Sequence, residues 1–244
     1  MTYFIRLAIG LLIDLWSLIT CLFTGIPVVD KKTDSDDICI LIPGIFGNAT
    51  CFSELAKYIK SEKKSTSIHV FQYDAFEQMD TIIEKLTEYC MNYSGKKITM
   101  IGHSYGGLVA CYMLYKATDL NISKIYTIAS PLKGAVVKDF YESIMTFLKQ
   151  YPAMGNLHDA IKGYEKSTGF SNVIKAINES PIDKVHEPNK VNCIEASKDF
   201  IVGPYASPSK YSKQANSDCE KSVTAAHQNV LKNPMLINSI SSNI

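Results

Sequence analysis

The sequence has almost no net charge, since 25 lysines and arginines stand against 24 aspartates and glutamates and leave a formal net charge of +1. A broad positive surface that would recruit nucleic acid is therefore missing, and we predict no nucleic-acid partner. The sequence also lacks internal repeats, and its middle has no low-complexity linker. With 244 residues and 46% hydrophobic composition, it can bury the core of one globular domain.

Clustered metal ligands are missing as well. The seven cysteines form no pair at metal-ligand spacing and mostly lie in apolar runs, so the sequence predicts buried free thiols and no metal or other cofactor. This odd, dispersed set favours a reducing compartment or a cytosolic face. Four N-x-Ser/Thr sequons would matter only in a secretory compartment, and chance explains them in a chain rich in Asn and Ser: Asn48, Asn92, Asn121 and Asn178.

A G-x-S-x-G motif at residues 102–106 is the most informative feature that is present. It follows an apolar run at 98–101 and precedes a helix-like stretch at 108–116. In this setting the motif predicts a nucleophile elbow, a sharp strand-to-helix turn that exposes a serine hydroxyl on a strained backbone. The glycines at 102 and 106, with Gly107 beside them, remove side chains that would clash in so tight a turn. Ser104 is the predicted nucleophile.

A serine nucleophile needs a base and an acid, which follow an elbow in the chain order Ser, Asp or Glu, His. Asp199 lies just past a strand-like run at 191–196 and is the predicted acid, with Asp183 and Glu195 as rivals. His227 ends a short strand-like run at 222–226 and is the predicted base. It alone satisfies the order, because every other histidine precedes the predicted acid: His69, His103, His158 and His186.

Two backbone amides should receive the oxyanion that forms when the serine attacks. One comes from the residue after the nucleophile, Tyr105, and the other from a loop that follows an earlier strand. The β run at 38–42 ends in a turn-rich loop at 43–48. Within that loop Ile45 is the preferred donor and Phe46 the next.

Together with the segments S-P-L-K-G at 130–134 and D-F-I-V at 199–202, these motifs resemble the α/β-hydrolase fold and, within it, the lipase and carboxylesterase branch. The resemblance spans roughly residues 37–233. The 130–134 segment is similar to the T-P-H-x-G segment of many such lipases, with serine and leucine in place of threonine and histidine. The resemblance as a whole implies a serine ester hydrolase that acts on lipid or other acyl esters through an acyl-enzyme.

Strand-like and helix-like runs alternate, which is typical of a mostly parallel central sheet with helices on both faces. Strands are predicted near 38–42, 68–73, 97–101, 123–129 and 190–196, and helices near 52–60, 78–92, 106–117 and 226–232. The long connection at 135–189 is predicted to be a helical lid or cap, with packing on the body as the alternative. Either way it should shape an acyl pocket with apolar and aromatic side chains such as Phe147, Tyr151 and Met154.

The N-terminal segment 1–30 forms a second unit ahead of the hydrolase domain at 31–244. Residues 7–29 are almost wholly apolar, a length that can cross a bilayer as a helix. Three interpretations remain open: a spanning anchor, a helix in the membrane interface or on the body, and a cleavable signal peptide, which the flanking residues favour least. Because Asp14 is costly in mid-bilayer, we predict membrane association without assigning depth or orientation.

The predicted function is therefore a membrane-associated serine ester hydrolase of lipase or esterase type. The same triad would also serve an acyl-thioesterase or an acyltransferase, because the residues do not set the acyl acceptor. A catalytically silent adaptor that binds a lipid or a protein partner is the alternative from another class. The oligomeric state is left open.

Overall fold

A six-stranded parallel sheet forms the centre of the molecule. The computed structural model describes residues 35–44, 47, 49–74, 77–116, 119–130, 190–196, 220–223 and 229–244. The strand order is β2-β1-β3-β4-β5-β6, and every neighbouring pair is parallel. The strands are β1 (Asp37–Ile42), β2 (Ser67–Val70), β3 (Lys97–His103), β4 (Ile122–Ile128), β5 (Val191–Ala196) and β6 (Glu220–Val223).

Helices cover both faces of the sheet, as its apolar strands require. They are α1 (Ser53–Glu62), α2 (Met79–Met91), α3 (Tyr105–Lys116) and α4 (Pro234–Ser241), with short 3-10 helices at Ala49–Phe52 and Asn229–Lys232. In β1, Ile38, Ile40 and Ile42 pack with α2 and α3, whereas Cys39 and Leu41 pack with α1 and α4. The strand is buried on both sides, which explains its continuous apolar sequence.

The order of the strands reverses at β1. The chain moves from β1 outward to β2, returns to the other side of β1 as β3, and then continues outward through β4, β5 and β6. In open parallel sheets, ligands bind outside the carboxyl ends of the strands at such a switch point. The fold therefore predicts a ligand site at the residues that follow β1 and β3, which are Pro43–Gly44 and Ser104.

The predicted α/β fold with a parallel sheet is confirmed, and most predicted elements match the structure within one or two residues. Two strands end earlier than predicted. The run at 68–73 is a strand only to Val70, beyond which the Phe71 amide alone still bonds the Leu41 carbonyl, at 3.0 Å. The run at 123–129 ends at Ile128, because Ala129 has a left-handed backbone (φ 48°) that cannot continue a strand.

The C-terminal prediction is wrong in part. The helix predicted near 226–232 is a 3-10 helix at Asn229–Lys232, and the strand predicted at 222–226 begins two residues earlier, at Glu220. Helix α4 was not predicted, although the sequence signals it: Asn233 accepts hydrogen bonds from the amides of Met235 and Leu236, and Pro234 occupies the first turn. The proline also holds Asn233 in extended backbone, which stops the preceding 3-10 helix.

Several predicted features lie outside the described residues: the N-terminal segment 1–30, the insert 135–189, and two of the cysteines, Cys21 and Cys219. The prediction of buried free thiols is confirmed for the five described cysteines, Cys39, Cys51, Cys90, Cys111 and Cys193. Burial raises the pKa of the Cys39 thiol to about 12, which keeps it in the unreactive thiol form. From Ser35 onward, none of the described helices is long and apolar enough to span a bilayer.

Candidate active site

Ser104 occupies the sharp turn between β3 and α3. Its backbone is left-handed (φ 53°), which is unusual for a residue with a side chain and costs free energy that the surroundings must supply. The Ser104 amide donates to the carbonyl of Ile128 at 2.8 Å, and the Ser104 carbonyl accepts from the amide of Gly107 at 3.1 Å. The residue is partly exposed between two buried neighbours, His103 and Tyr105. The predicted elbow geometry is therefore observed.

Glycine is required on both sides of the elbow because backbones approach each other closely there. A Cβ on Gly102 would lie 2.3 Å from the carbonyl oxygen of Gly106, and a Cβ on Gly106 would lie 2.1 Å from that of Ile42. Both contacts are with main-chain atoms, which cannot rotate away as a flexible side chain can. The predicted steric role of these glycines is confirmed.

A second strained corner supports the elbow from β4. Ala129, next to the Ile128 carbonyl that receives the Ser104 amide, has positive φ and donates its own amide to Ile194 at 2.9 Å. The buried Ser130 hydroxyl also bonds the Ile128 carbonyl, at 3.3 Å. Hydrogen bonds therefore run from Ser104 across β4 to β5 at the carboxyl edge of the sheet. Sequence reasoning did not find this corner, because alanine gives no signal of left-handed backbone.

The loop after β1 lies directly against the elbow. A Cβ on Gly44 would be 3.0 Å from Cβ of Ser104, and the Gly44 carbonyl accepts from the Gly47 amide at 2.9 Å, which closes a four-residue turn. The predicted oxyanion donors Ile45 and Phe46 stand between these two glycines in the sequence and lie outside the described residues. The other predicted donor, Tyr105, is the first residue of α3, where amides are not taken up by the helix's own hydrogen bonds.

Tyr73 is a residue near the site that sequence reasoning missed. It follows β2, and its hydroxyl donates to the carbonyl of Pro43 at 2.8 Å, while its ring lies 5.9 Å from the ring of Tyr105. Burial, reinforced by the neighbouring Tyr105 hydroxyl, raises the pKa of Tyr73 well above its usual value, so the phenol keeps its proton. An aromatic pair just past a strand, Phe71 and Tyr73, was the signal available in the sequence.

The predicted acid and base, Asp199 and His227, lie outside the described residues, and so do the predicted pocket residues Phe147, Tyr151 and Met154. The structure does describe β5 and β6, the strands that precede the predicted acid and the predicted base. Strand β5 ends at Ala196 and β6 at Val223, and both pair in parallel register in the same sheet as β3. The chain therefore leaves all three strands at one edge of the sheet.

A groove of about 700 Å³ lies elsewhere, between α2 and the C-terminal end of α3 with the residues that follow it. Its polar side chains are mostly acidic, Asp80, Glu84, Glu88 and Asp119, with Lys116 3.4 Å from the Asp80 carboxylate. It contains none of the predicted site residues. Over the described ranges, the structure brings no three potential metal ligands together.

Comparison with known families gives a match over residues 35–193, which is more than half of the chain, to the model described as the PGAP1-like alpha/beta domain. This range begins just before β1 and ends inside β5, so it includes both the loop after β1 and the elbow. No curated protein matches the sequence.

Solved α/β hydrolases are similar in structure at low sequence identity. MGS-MChE2, an α/β hydrolase from the metagenome of sediments from the Mar Chica lagoon in Morocco, has a TM-score of 0.58 at 13% identity, covering 88% of this chain and 95% of its own. A lipase-esterase related protein from Clostridium acetobutylicum has a TM-score of 0.56 at 17% identity, with 89% and 98% covered. The RedJ thioesterase of prodiginine biosynthesis from Streptomyces coelicolor has a TM-score of 0.52 at 11% identity, with 91% and 93% covered.

Proposed function

The chain belongs to the PGAP1-like alpha/beta domain family and has the α/β-hydrolase fold, and from this we propose that it is a serine hydrolase that cleaves carboxylic esters, with lipid acyl esters as its substrates. One observation carries the proposal. Ser104 has left-handed backbone and a partly exposed side chain at the switch point of a parallel sheet. A strained, glycine-flanked serine in that position has no evident structural use.

In the proposed reaction Ser104 Oγ attacks the ester carbonyl while His227 takes its proton. Asp199 orients the imidazole of His227 and stabilises its charged form. The oxyanion is received by the amide of Tyr105 and by that of Ile45 or Phe46. The alcohol leaves with the proton that His227 returns, and water then attacks the acyl-enzyme by the same route, which releases the carboxylic acid and restores Ser104.

Chain reach supports the assignment of the acid and the base. Asp199 is three residues past the end of β5 and His227 four residues past the end of β6, which allows spans of about 10 Å and about 14 Å. With strands about 4.8 Å apart, β5 and β6 lie about 10 Å and about 14 Å from β3. Both segments are therefore long enough to bring their side chains to Ser104.

The test of the proposal is reaction of the purified protein with a fluorophosphonate probe, followed by mass spectrometry of the labelled peptide and by turnover of p-nitrophenyl esters of short and long acyl chains. We expect labelling at Ser104 and faster turnover of long chains. Preference for short chains would limit the function to an esterase, and faster cleavage of acyl thioesters would favour the thioesterase alternative. A folded protein that is neither labelled nor active would support the adaptor.

The acid can be tested apart from the nucleophile. We expect Asp199→Asn to lower kcat by about 10⁴-fold, because the amide no longer favours the required tautomer of His227. The matched variants Asp183→Asn and Glu195→Gln should keep kcat within about twofold, since they neutralise the rival carboxylates without touching the triad. Loss of turnover in either rival instead of Asp199→Asn would reassign the acid.

We also propose that the N-terminal segment 1–30 attaches the protein to a membrane. The place where this segment joins the body is compatible with catalysis at Ser104. Ser35 precedes β1 at the edge of the sheet opposite Ser104, and the start of the body is fixed there, because Lys96 Nζ donates to the Ser35 carbonyl at 2.7 Å and the Lys97 amide to Asp36 at 2.8 Å. An anchor attached at this edge leaves the carboxyl ends of the strands open to substrate.

Removing residues 1–29 should therefore release the protein from membranes without harming catalysis. We expect the full chain to sediment with phosphatidylcholine vesicles and the shortened chain to stay in the supernatant, because the apolar run supplies the free energy of membrane binding. Turnover of a soluble short-chain ester should be the same for both, since the contacts of Ser35 and Asp36 are retained. Equal sedimentation of the two proteins would refute the proposed anchor.

A further inference from the structure

Tyr73 joins two strand ends at the candidate active site. It comes from the segment after β2, whereas its hydrogen-bond acceptor, the carbonyl of Pro43, belongs to the segment after β1. Pro43 immediately precedes the turn that the Gly47 amide closes on the Gly44 carbonyl. The Tyr73 hydroxyl therefore holds the main chain just before the turn that Gly44 and Gly47 close.

The turn is fixed from three directions. Its own hydrogen bond runs from the Gly47 amide to the Gly44 carbonyl at 2.9 Å. On one side Gly44 packs against Ser104, since a Cβ at Gly44 would already touch Cβ of the serine at 3.0 Å. On the other side the hydroxyl of Tyr73 holds the Pro43 carbonyl at 2.8 Å. Without that bond the turn loses one of these three contacts.

The ring of Tyr73 is itself held in place. It belongs to an aromatic row of five rings in contact order, Tyr105, Tyr73, Phe71, Tyr89 and Tyr93. Tyr73 lies 5.9 Å from Tyr105 and 6.3 Å from Phe71 between ring centroids, so its hydroxyl cannot swing far from the Pro43 carbonyl. Because the phenol keeps its proton, it remains a donor across the pH range of an ester assay.

We propose that Tyr73 is a positioning residue for the loop after β1, which acts by holding the Pro43 carbonyl so that Gly44 stays packed against Ser104. This role rests on the proposed ester hydrolysis. Donors that stabilise a transition state must be fixed before the reaction, and small displacements of such groups are costly in rate. Tyr73 touches neither substrate nor the reacting serine in this role, and its influence passes through the backbone of the loop.

The test is Tyr73→Phe, which removes one oxygen and keeps the ring in the aromatic row. We expect kcat for a p-nitrophenyl ester to fall about tenfold with KM unchanged within about twofold, because alignment of the oxyanion donors matters in the transition state more than in substrate binding. The rate of labelling by a fluorophosphonate, whose phosphoryl oxygen needs the same donors, should fall by a similar factor.

Tyr93→Phe is the matched control. The Tyr93 hydroxyl is hydrogen-bonded to Nδ1 of His69 at 3.0 Å, at the other end of the aromatic row, and Tyr93 lies just before β3, away from the loop after β1. Both variants lose one hydroxyl, and Tyr93→Phe loses its bonds to both His69 and Tyr89, so its melting temperature should fall at least as far as that of Tyr73→Phe. Tyr93→Phe should nevertheless keep kcat and the labelling rate.

Two results would overturn the positioning role. One is full kcat in Tyr73→Phe, and the other is an equal loss of kcat in Tyr93→Phe, which would trace the effect to general stability. Failure of the proposed function looks different, because the unaltered protein would then neither turn over esters nor react with the fluorophosphonate. In that event the proposed function and the positioning role fall together.

Discussion

Ser104→Ala is expected to abolish ester turnover while the protein stays folded. With the hydroxyl gone, neither the acyl-enzyme nor the fluorophosphonate adduct can form, so kcat should fall by about 10⁴-fold or more, down to what the oxyanion amides and substrate binding still provide. The backbone contacts of the elbow do not depend on the side chain, because they join the Ser104 amide to Ile128 and the Ser104 carbonyl to Gly107. The melting temperature should change by less than about 2 °C.

Ser123→Ala is a suitable control for this result. Ser123 is also a partly buried serine, but it lies at the start of β4, at the opposite edge of the sheet, where its hydroxyl bonds the Ile98 carbonyl at 3.1 Å. Its removal should cost about 1 kcal/mol of stability and leave kcat unchanged. If Ser104→Ala kept ester turnover while folded, the proposed function would be wrong.

The backbone strain at Ser104 can be measured through the stability of two variants. Glycine adopts positive φ without steric cost, whereas alanine and serine pay for it. We therefore expect Ser104→Gly to be more stable than Ser104→Ala by about 1 kcal/mol, or about 2–4 °C in melting temperature, although both are inactive. A serine kept at φ 53° against this gain in stability fits a residue selected for its chemistry.

The sequence predicts well those parts of the fold that local rules govern. Strand β1 is an apolar run in the sequence and is buried on both faces in the structure. The glycines at 102 and 106 predict a tight turn, because no residue with a side chain fits there. The 3-10 helix at Asn229–Lys232 was mistaken for an α-helix, since four residues of helical pattern do not distinguish the two. Helix α4 was missed although its cap, Asn233 followed by Pro234, was readable.

The parts that the sequence did not reveal depend on contacts between distant segments. The hydrogen bond from Tyr73 to Pro43 exists because β1 and β2 pair in parallel register and bring their ends together, a pairing that neither segment encodes alone. The left-handed backbone of Ala129 also depends on neighbouring strands. Its amide donates to the carbonyl of Ile194 on β5, while the carbonyl of Ile128 accepts from the Ser104 amide. Both features support the turn at Ser104, so the turn itself was easier to predict than the contacts that support it.

Gly106→Ala is expected to destabilise the protein strongly, because the added methyl group has no space. The new Cβ would lie 2.1 Å from the carbonyl oxygen of Ile42 and 2.5 Å from that of Pro43, so β1 and α3 would have to separate. We expect a loss of about 3 kcal/mol or more in the free energy of unfolding, or about 6–12 °C in melting temperature. Thermal unfolding followed by circular dichroism measures this, with fluorophosphonate labelling as the readout of the elbow.

Gly95→Ala separates the clash from the loss of a glycine as such. Gly95 has positive φ (80°) and no atom within 4 Å of a new Cβ, so alanine there pays only the backbone cost of about 1 kcal/mol, or about 2–4 °C. It should keep the full labelling rate, whereas Gly106→Ala should lose labelling even below its melting temperature, because displacing Pro43 also moves the oxyanion loop. If Gly106→Ala and Gly95→Ala destabilised the protein equally, the close contact between β1 and α3 would be wrong.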